Sequence, residues 1–255
     1  MQNACDHIFA AKIAVQAGRL IRRSRGRLNA GNQDENRNLD RAADDLIRDL
    51  IRLRHPDDAI LSEESVDNKN RLEQRRVWIV DPLDGSANCY RGGREWAVHV
   101  ALLQDGRLAA GTICAPDWHQ IACTGYPTRL LPKWRRNGMK IALSESHASA
   151  ECLQLIQSVG ASPIHLSSAG IKTLAVINGL ADAYVHSGGQ YEWDSAAPVA
   201  VAQSAGLHTS KLDGTPLQYN QNNPYVASLL ICRPELAEKI TGAYRKIGAR
   251  ETFNE

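Results

Sequence analysis

The stretch Val77-Trp-Ile-Val-Asp-Pro-Leu-Asp-Gly-Ser86 places four apolar residues directly before two aspartates and a glycine. A short apolar run bounded by turn residues predicts a buried strand, here over residues 77–80. Asp81 and Asp84 then follow three residues apart in a predicted turn. A buried strand that delivers two carboxylates to one turn indicates a functional site, although the same residues could also form a turn with no other role.

The composition favours a globular protein without a dominant charge. The chain has 255 residues, of which 43% are hydrophobic, and 30 basic against 28 acidic side chains leave a formal charge of +2. This is enough chain to bury a full core as one large domain or two small ones. The six cysteines show no CxxC pair, so we expect reduced thiols. The sequence has neither a signal-peptide pattern nor an apolar run of transmembrane length, and we expect a cytoplasmic protein with no membrane partner.

The first 55 residues predict two amphipathic helices joined by a loop. Apolar side chains recur at helical spacing over residues 4–23, and again after Asp40. The polar stretch 29–38 has almost nothing to bury and predicts a mobile loop. Asp40 lies seven residues before Ile47, which places it on the buried face of the second helix's first turn. A carboxylate there is either a helix cap or a site residue turned inward.

The rest of the chain predicts an α/β protein with an α+β N-terminal half and an α/β C-terminal half. Residues 59–62 and 77–80 predict strands, and Gln104-Asp-Gly-Arg107 predicts a hairpin turn within an antiparallel sheet. From about Lys140 the pattern changes to strand–helix alternation. We place a domain boundary near Pro132–Met139, giving an N-terminal domain over 1–136 with most of the candidate site and a C-terminal α/β domain over 137–255.

Two further acidic motifs stand beside predicted elements. Glu63 and Glu64 follow the strand "AILS", and Asp194 lies in "YEWDSAAP" before a helix predicted from Ser195. Each has an ordinary explanation in isolation, since a Glu pair after a strand is commonly solvated and Asp194 is a good helix cap. His99 lies inside the predicted strand "WAVHVALL", and we interpret it as a strand residue.

Together the three motifs resemble the inositol monophosphatase-like, magnesium-dependent and lithium-sensitive phosphatases. That family carries E-E, then W-I-[IV]-D-P-[IL]-D-G-T, then W-D-x-A, in this order and at comparable separations. Here they are "SEES" (62–65), "WIVDPLDGS" (78–86) and "WDSAAP" (193–198). The resemblance covers nearly the whole chain and implies the layered αβαβα sandwich of the inositol monophosphatase/fructose-1,6-bisphosphatase type.

The resemblance also implies a set of metal ligands. Glu63, Asp81 and the backbone carbonyl of Leu83 would hold a first Mg²⁺, and Asp81, Asp84 and Asp194 would hold a second. A third, mostly water-coordinated ion is expected beside Glu63, so that two to three ions serve one site. Hard oxygen ligands suit magnesium, and the ions counter the charge of the phosphate.

Further residues are implied for the reaction itself. Ser86 stands where the family usually has threonine, and its hydroxyl, together with the Asp40 carboxylate, would orient and deprotonate the attacking water. Asp40 is thereby interpreted as a site residue. The backbone N–H groups of Gly85, Ser86 and Ala87, at a helix start, would bind the phosphate oxygens.

Several features resemble the 3′(2′),5′-bisphosphate nucleotidase branch, which converts adenosine 3′,5′-bisphosphate to AMP and phosphate. They are the leucine of "DPLDG", the glutamate Glu192 before Trp-Asp, "LDGTPLQYN" (212–220) and "SSAGIK" (167–172). Lys172 would bind the second phosphate, or be a solvated helical lysine, and Glu192 would contact substrate. That branch typically continues Gly-Thr with Lys-Glu-Phe or Arg-Glu-Phe, whereas Asn88 is closer to the inositol monophosphatase pattern and Cys89 fits neither.

Three functions therefore compete. The first is hydrolysis of a bisphosphate nucleotide, and the second is hydrolysis of inositol monophosphate or fructose 1,6-bisphosphate. The third is a regulatory protein that binds RNA or transcription partners, which is disfavoured because every expected ligand position keeps an oxygen donor. We therefore expect a phosphorylated small-molecule substrate and no stable nucleic-acid partner, and relatives of this kind are commonly homodimers.

The serine at position 86 generates a first prediction. Serine keeps the hydroxyl but lacks the β-methyl that restricts χ1 of threonine. We expect Ser86→Thr to leave turnover of a phosphate monoester unchanged or raised, and Ser86→Ala to lose most of it, measured as phosphate release at saturating Mg²⁺. Near-native turnover of Ser86→Ala would show that this hydroxyl does not activate water.

Overall fold

A computed structural model describes residues 2–25, 33–127, 138–146 and 148–251. Two long helices, α1 (Gln2–Arg25) and α2 (Gln33–Arg54), pack on each other at the N-terminus. The prediction of a loop over 29–38 is wrong for 33–38, which form the first turns of α2, while 29–32 lie outside the described residues. Asp34 and Glu35 lie in that first turn, where acidic residues stabilise the helix dipole.

The earlier start of α2 changes the position of Asp40. Asp40 lies two turns inside the helix and is 8% exposed. It therefore cannot cap the helix, although the prediction that it faces inward is confirmed. Of its two alternative interpretations, only the buried site residue is compatible with this position.

The first sheet has the strand order β1-β2-β3-β4-β5. Its strands are β1 (Ala59–Ser62), β2 (Arg76–Asp84), β3 (Ala97–Gln104), β4 (Arg107–Ala115) and β5 (Gln120–Cys123). β1 is parallel to β2, and the other neighbours are antiparallel. The predicted hairpin is confirmed, since Asp105 (φ 51°) and Gly106 (φ 77°) join β3 to β4 in the left-handed region that such a turn needs.

Strand β2 is longer than the sequence predicts. It continues through Asp81 and Asp84, and its pairing with β3 shifts register between them. The two aspartates therefore flank a bulge within a strand rather than occupying a turn after one. Pro82 explains the interruption, because proline has no N–H to give to the ladder. The bulge re-aims the chain where the two carboxylates are needed.

The second sheet has the order β7-β6-β8-β10-β9. β6 is parallel to β7 and β8, whereas β10 is antiparallel to β8 and β9. Short helix α3 (Ser86–Tyr90) precedes this half of the chain. The elements of the second half are β6 (Met139–Ser144), α4 (Ala150–Ser158), β7 (Ala161–Leu166), α5 (Ala169–Ile177), β8 (Ala183–Tyr191), α6 (Glu192–Ser204), β9 (His208–Ser210), β10 (Tyr225–Cys232) and α7 (Ala237–Glu251).

The elements stack in five layers, which confirms the predicted αβαβα sandwich. α1 and α2 cover one face of the first sheet, α5 and α6 lie between the two sheets, and α4 and α7 cover the outer face of the second. One core cluster joins both sheets to α5 and α6. The two sheets divide the chain as predicted, but residues 132–137 of the boundary lie outside the described residues, and two separate domains stay a prediction.

A membrane-spanning helix needs a certain length and apolar character. Within the described ranges, no helix is both long and apolar enough to cross a membrane. A cytoplasmic location stays a prediction.

The contact between α6 and β4 generates a stability prediction. A Cβ atom on Gly111 would lie 2.5 Å from the Cβ of Ala200, between a strand and a helix that have little room to separate. We expect Gly111→Ala to lower the free energy of unfolding by about 1–3 kcal/mol, measured by urea denaturation. Gly242 in α7 is the control, because a Cβ there meets nothing within 4 Å. Gly242→Ala should raise stability by about 0.5–1 kcal/mol, and equal effects at both positions would contradict the packing argument.

Candidate active site

Four carboxylates from distant parts of the chain meet at the C-terminal ends of β1 and β2. One ligand atom each from Asp81, Asp84 and Asp194 lies within 4.8 Å of the others. Glu63, which follows β1, lies close enough to the group that the charges of Asp194 and Asp84 act on its carboxyl. The predicted convergence of these four acids is thus present in the structure.

Local backbone contacts hold two of these acids. Asp81 Oδ1 accepts a hydrogen bond of 3.0 Å from the N–H of Leu83, inside the bulge of β2. Asp194 Oδ2 accepts one of 2.6 Å from the N–H of Tyr191, the residue that caps α6. Helix α6 begins at Glu192, three residues before the predicted start, so Asp194 serves as an N-terminal capping residue and as a member of the acidic group at once.

Asp84 is held differently from its neighbours. Its Oδ2 accepts from the Ser168 hydroxyl, and from the N–H of Gly170 at 2.9 Å. The His99 Nε2 lies 3.2 Å from the same oxygen. Ser168 caps α5, with its Oγ also accepting from the N–H of Ile171 at 3.1 Å. Asp84 therefore joins β2 of the first sheet to the start of a helix that leads into the second.

The pKa of Asp84 shifts in the opposite direction from the pKa values of the other three acids. Burial first, and then the charge of Glu63, raises the pKa of Asp81 well above its usual range. Burial, followed by the charge of Asp194, raises the pKa of Glu63 to about 8. Burial and the charge of Asp84 raise the pKa of Asp194 to about 6. Burial also acts on Asp84, but the contacts with His99, Lys172 and Ser168 together outweigh it and lower the pKa of this carboxyl.

The donor set fits a hard divalent cation. All four side chains offer carboxylate oxygens, the ligands that Mg²⁺ and Ca²⁺ prefer. Two like charges 4 Å apart repel by about 4 kcal/mol at an effective dielectric of 20. A cation bound among them would offset this repulsion, so that the carboxylates could all be ionised.

Two members of the acidic group, Asp84 and Asp194, line a cleft of about 410 Å³. Gly85, Ser86 and Ala87 line the cleft next to Asp84, and Ser86 is the first residue of α3. The first N–H groups of a helix have no acceptor within the helix and are available to an anion. Gly85 has φ 83°, and a Cβ atom there would lie 2.6 Å from the carbonyl oxygen of Glu95, so glycine is required.

Lys172 supplies positive charge to the same cleft. It is 2% exposed, so the alternative of a solvated helical lysine is wrong. Its Nζ donates to the carbonyl oxygens of Leu166 (3.3 Å) and Ser167 (2.8 Å) and lies 5.1 Å from the centre of the Tyr184 ring. An ammonium has three donors, so one remains for a ligand. Burial lowers the pKa of Lys172 to about 8.

Asp40 lies beside α3. It lies near Tyr90, whose hydroxyl donates to the Asn36 carbonyl oxygen at 3.2 Å, and burial raises the pKa of Asp40 to about 6. Tyr90 is four residues after Ser86, which places both on one face of this short helix. The Asp40 Oδ1 is buried and has no hydrogen-bond partner among the described residues. The pairing of Asp40 with the Ser86 hydroxyl in water activation stays a prediction.

The Glu192 carboxylate binds the backbone of a neighbouring loop. Its two carboxylate oxygens accept hydrogen bonds of 2.7 Å from the N–H groups of Asn220 and Gln221, and the residue is 1% exposed. Burial raises its pKa. Since both oxygens are used to hold the loop before β10, the predicted contact between Glu192 and substrate gains no support from this geometry.

Some residues that line the cleft were not anticipated. Gly188 and Gly189, at φ 75° and 77°, lie where β8 departs from regular pairing with β10, and the Gly189 N–H donates to the Tyr225 hydroxyl at 3.0 Å. The glycine pair just before the Trp-Asp motif was the available signal. The others, apart from residues already described, are Asn88, Arg91, Ser144, Glu145, Ser146, Ser167, Ala169, His186 and Gln190.

Asn88 and Cys89 differ from the typical bisphosphate nucleotidase sequence, and the contacts of each residue explain why it is suited to its position. The Asn88 Oδ1 accepts from the N–H of Glu95, and its Nδ2 donates to the Ser167 hydroxyl, both at 3.0 Å. Asn88 thereby ties α3 to the end of β7. Cys89 is 1% exposed and packs in the core under α1 and α2, so a small apolar side chain is sufficient there.

Comparison with known proteins decides the family. A profile described as the inositol monophosphatase family matches residues 3–249. The chain belongs to the inositol monophosphatase family. It is 38% identical to the 3′-phosphoadenosine 5′-phosphate phosphatase of Mycobacterium leprae, across 95% of this chain and 94% of that protein. It is 30% identical to the 3′(2′),5′-bisphosphate nucleotidase CysQ of Escherichia coli, across 73% of this chain and 80% of that one.

Solved structures of the inositol monophosphatase family share the fold. The crystal structure of CysQ from Bacteroides thetaiotaomicron superposes with a TM-score of 0.80 at 23% identity, across 90% of this chain and 97% of that one. The family is generally metal-dependent, in keeping with the acidic group at the cleft. The predicted fold and family are confirmed.

The raised pKa values of the acidic group generate a pH prediction. The folded protein keeps protons on Glu63 up to about pH 8 and on Asp194 up to about pH 6, above the usual 4.5 and 3.8. The unfolded chain releases those protons earlier, so the metal-free protein should lose stability as pH rises from about 4 to about 8, whereas below this window both states are protonated. The melting temperature in chelator should fall across this range, and excess Mg²⁺ should reduce the fall.

The matched variants are Glu63→Gln and Glu73→Gln. The first removes a member of the group and should flatten the dependence of melting temperature on pH in chelator. The second changes an exposed glutamate in the link between β1 and β2 and should keep the wild-type slope. The explanation is wrong if the two variants behave alike.

Proposed function

We propose that this protein is a Mg²⁺-dependent phosphomonoesterase that removes the 3′-phosphate of adenosine 3′,5′-bisphosphate, leaving AMP and phosphate. The observation that carries the proposal is the group of four carboxylates, two of which line a cleft that also contains the buried ammonium of Lys172. The names of the relatives at 38% and 30% identity support this substrate class.

The acidic group would hold two to three Mg²⁺ ions. Glu63, Asp81 and the carbonyl of Leu83 would bind the first, Asp81, Asp84 and Asp194 the second, and Glu63 a third. Bound there, the ions would supply positive charge to the phosphate oxygens and lower the pKa of a coordinated water. The all-oxygen donor set and its raised pKa values support this assignment.

The residues of α3 and α2 would handle the water and the phosphate. The N–H groups of Gly85, Ser86 and Ala87 would bind the oxygens of the phosphate that is removed. The Ser86 hydroxyl would orient the attacking water, and Asp40 would accept its proton through this hydroxyl. The pKa of about 6 for Asp40 lets it act as a base near neutral pH while remaining able to hold a proton.

Lys172 would distinguish a bisphosphate from a simple monoester. Lys172 lines the cleft, and the N–H that its two carbonyl acceptors leave unused would bind a second phosphate of the substrate. A charge-assisted bond of this kind contributes about 1.5–3 kcal/mol. Inositol 1-phosphate has one phosphate and cannot use it. We further expect a homodimer, as the family resemblance implies.

The experiment compares three substrates at equal Mg²⁺. Phosphate release from adenosine 3′,5′-bisphosphate should show a higher kcat/KM than release from inositol 1-phosphate or fructose 1,6-bisphosphate, and chelator should abolish all three activities. A preference for inositol 1-phosphate would assign the second candidate function. Absence of hydrolysis with every substrate, together with RNA binding, would favour a regulatory role.

Lys172→Met provides the matched variant, because methionine keeps the length of the side chain and removes its charge. We expect KM for adenosine 3′,5′-bisphosphate to rise about tenfold or more, equivalent to about 1.4 kcal/mol. KM for inositol 1-phosphate should change little. Equal losses with both substrates would show that Lys172 supports the fold or the metal site instead of the second phosphate.

A further inference from the structure

We propose that His99 is a positioning residue for the cation site, which fixes one oxygen of Asp84 so that the other faces the metal. This inference rests on the cation site of the proposed function but not on the identity of the substrate. It concerns a histidine on β3 that contributes no ligand of its own.

The environment of His99 supports this role. The side chain is 0% exposed and lies on β3 directly opposite Asp81, next to the bulge of β2. Its Nε2 is 3.2 Å from the Oδ2 of Asp84, and neither ring nitrogen has a well-aligned hydrogen-bond partner among the described residues. A buried N–H that lacks an acceptor lowers stability. The Asp84 carboxylate is the acceptor that Nε2 faces, so a ring proton on Nε2 lies toward Asp84.

Two hydrogen-bond donors and the imidazole Nε2 meet at one carboxylate oxygen. The Ser168 hydroxyl and the Gly170 N–H bind the Oδ2 of Asp84. With this oxygen occupied, Oδ1 is the atom that remains for a cation, and Asp84 is restricted to binding through a single oxygen. Partners that orient a ligand in this way commonly change metal affinity by about 10–100-fold.

The absence of a side chain at Gly170 leaves the space that the His99 ring occupies. A Cβ atom on Gly170 would lie 2.3 Å from the His99 Nε2 and 2.9 Å from the Cγ2 of Ile113. Only glycine allows the start of α5 to approach β3 so closely that its N–H and the imidazole reach the same oxygen. His99 and Gly170 thus depend on each other.

The test measures Mn²⁺ binding to the intact protein without substrate, by electron paramagnetic resonance. The matched pair is His99→Leu, which removes the donor at similar volume, and His99→Gln, whose amide N–H can reach the position of Nε2. We expect His99→Leu to weaken Mn²⁺ binding about tenfold or more, and His99→Gln to stay close to wild type. The Mg²⁺ concentration for half-maximal phosphatase activity should shift in the same order.

Thr112→Val is the control for a change in the same sheet. Thr112 lies on β4, is 0% exposed, and its hydroxyl has no partner among the described residues, so Mn²⁺ affinity should not change. Wild-type Mn²⁺ affinity in His99→Leu would overturn the inference, and so would equal losses in His99→Leu and His99→Gln.

If His99→Leu does not fold, Gly170→Ala takes its place, because the added methyl group must displace the ring. The same loss of Mn²⁺ affinity is expected, and unchanged affinity would overturn the inference. Failure of the wild-type protein to bind Mn²⁺ at all would instead reject the cation site and the proposed function with it.

Discussion

Mutual repulsion among four carboxylates is the constraint around which this fold is arranged. Glu63, Asp81, Asp84 and Asp194 come from the ends of two strands and the start of a helix, and nothing in their local sequences would keep them together. Burial, and then the charges of the neighbouring acids, raise the pKa of three of them, while His99, Lys172 and Ser168 together lower the pKa of Asp84. A divalent cation bound among the four carboxylates would reduce their mutual repulsion.

The five layers supply the rigidity that this arrangement requires. β2 carries two of the acids and is covered by α2 on one face and by α6 on the other. Trp78 and Val80 are fully buried on one face of β2, and Ile79 is 1% exposed on the other. A strand packed on both faces cannot tilt away from charge repulsion, so the acids at its end stay in place. The same burial explains why β2 is so apolar before Asp81.

Sequence patterns predicted the fold and the main acids but not their finer placement. Apolar periodicity and turn residues located nearly every strand, and the three motifs brought Glu63, Asp81, Asp84 and Asp194 together correctly. The start of α2 was misjudged because the polar side chains of 33–38 gave no apolar stripe. The burial of Lys172, the contact of His99 with Asp84 and the use of Glu192 by a loop were not predicted. They depend on contacts made in the folded protein between separate elements, for which local patterns carry no signal.

The hydrogen bonds from α5 to Asp84 have a consequence for hybrid proteins within this family. Asp84 belongs to the first sheet, whereas Ser168 and Gly170 belong to the strand–helix junction that follows β7 of the second. A chimera could join the first half of this chain to the second half of a relative. Its aspartate at position 84 would lack these two hydrogen bonds unless the second half carried a hydroxyl and a glycine at the matching positions. Recombination between relatives is therefore constrained here by a pair of small residues outside the shared acidic motifs.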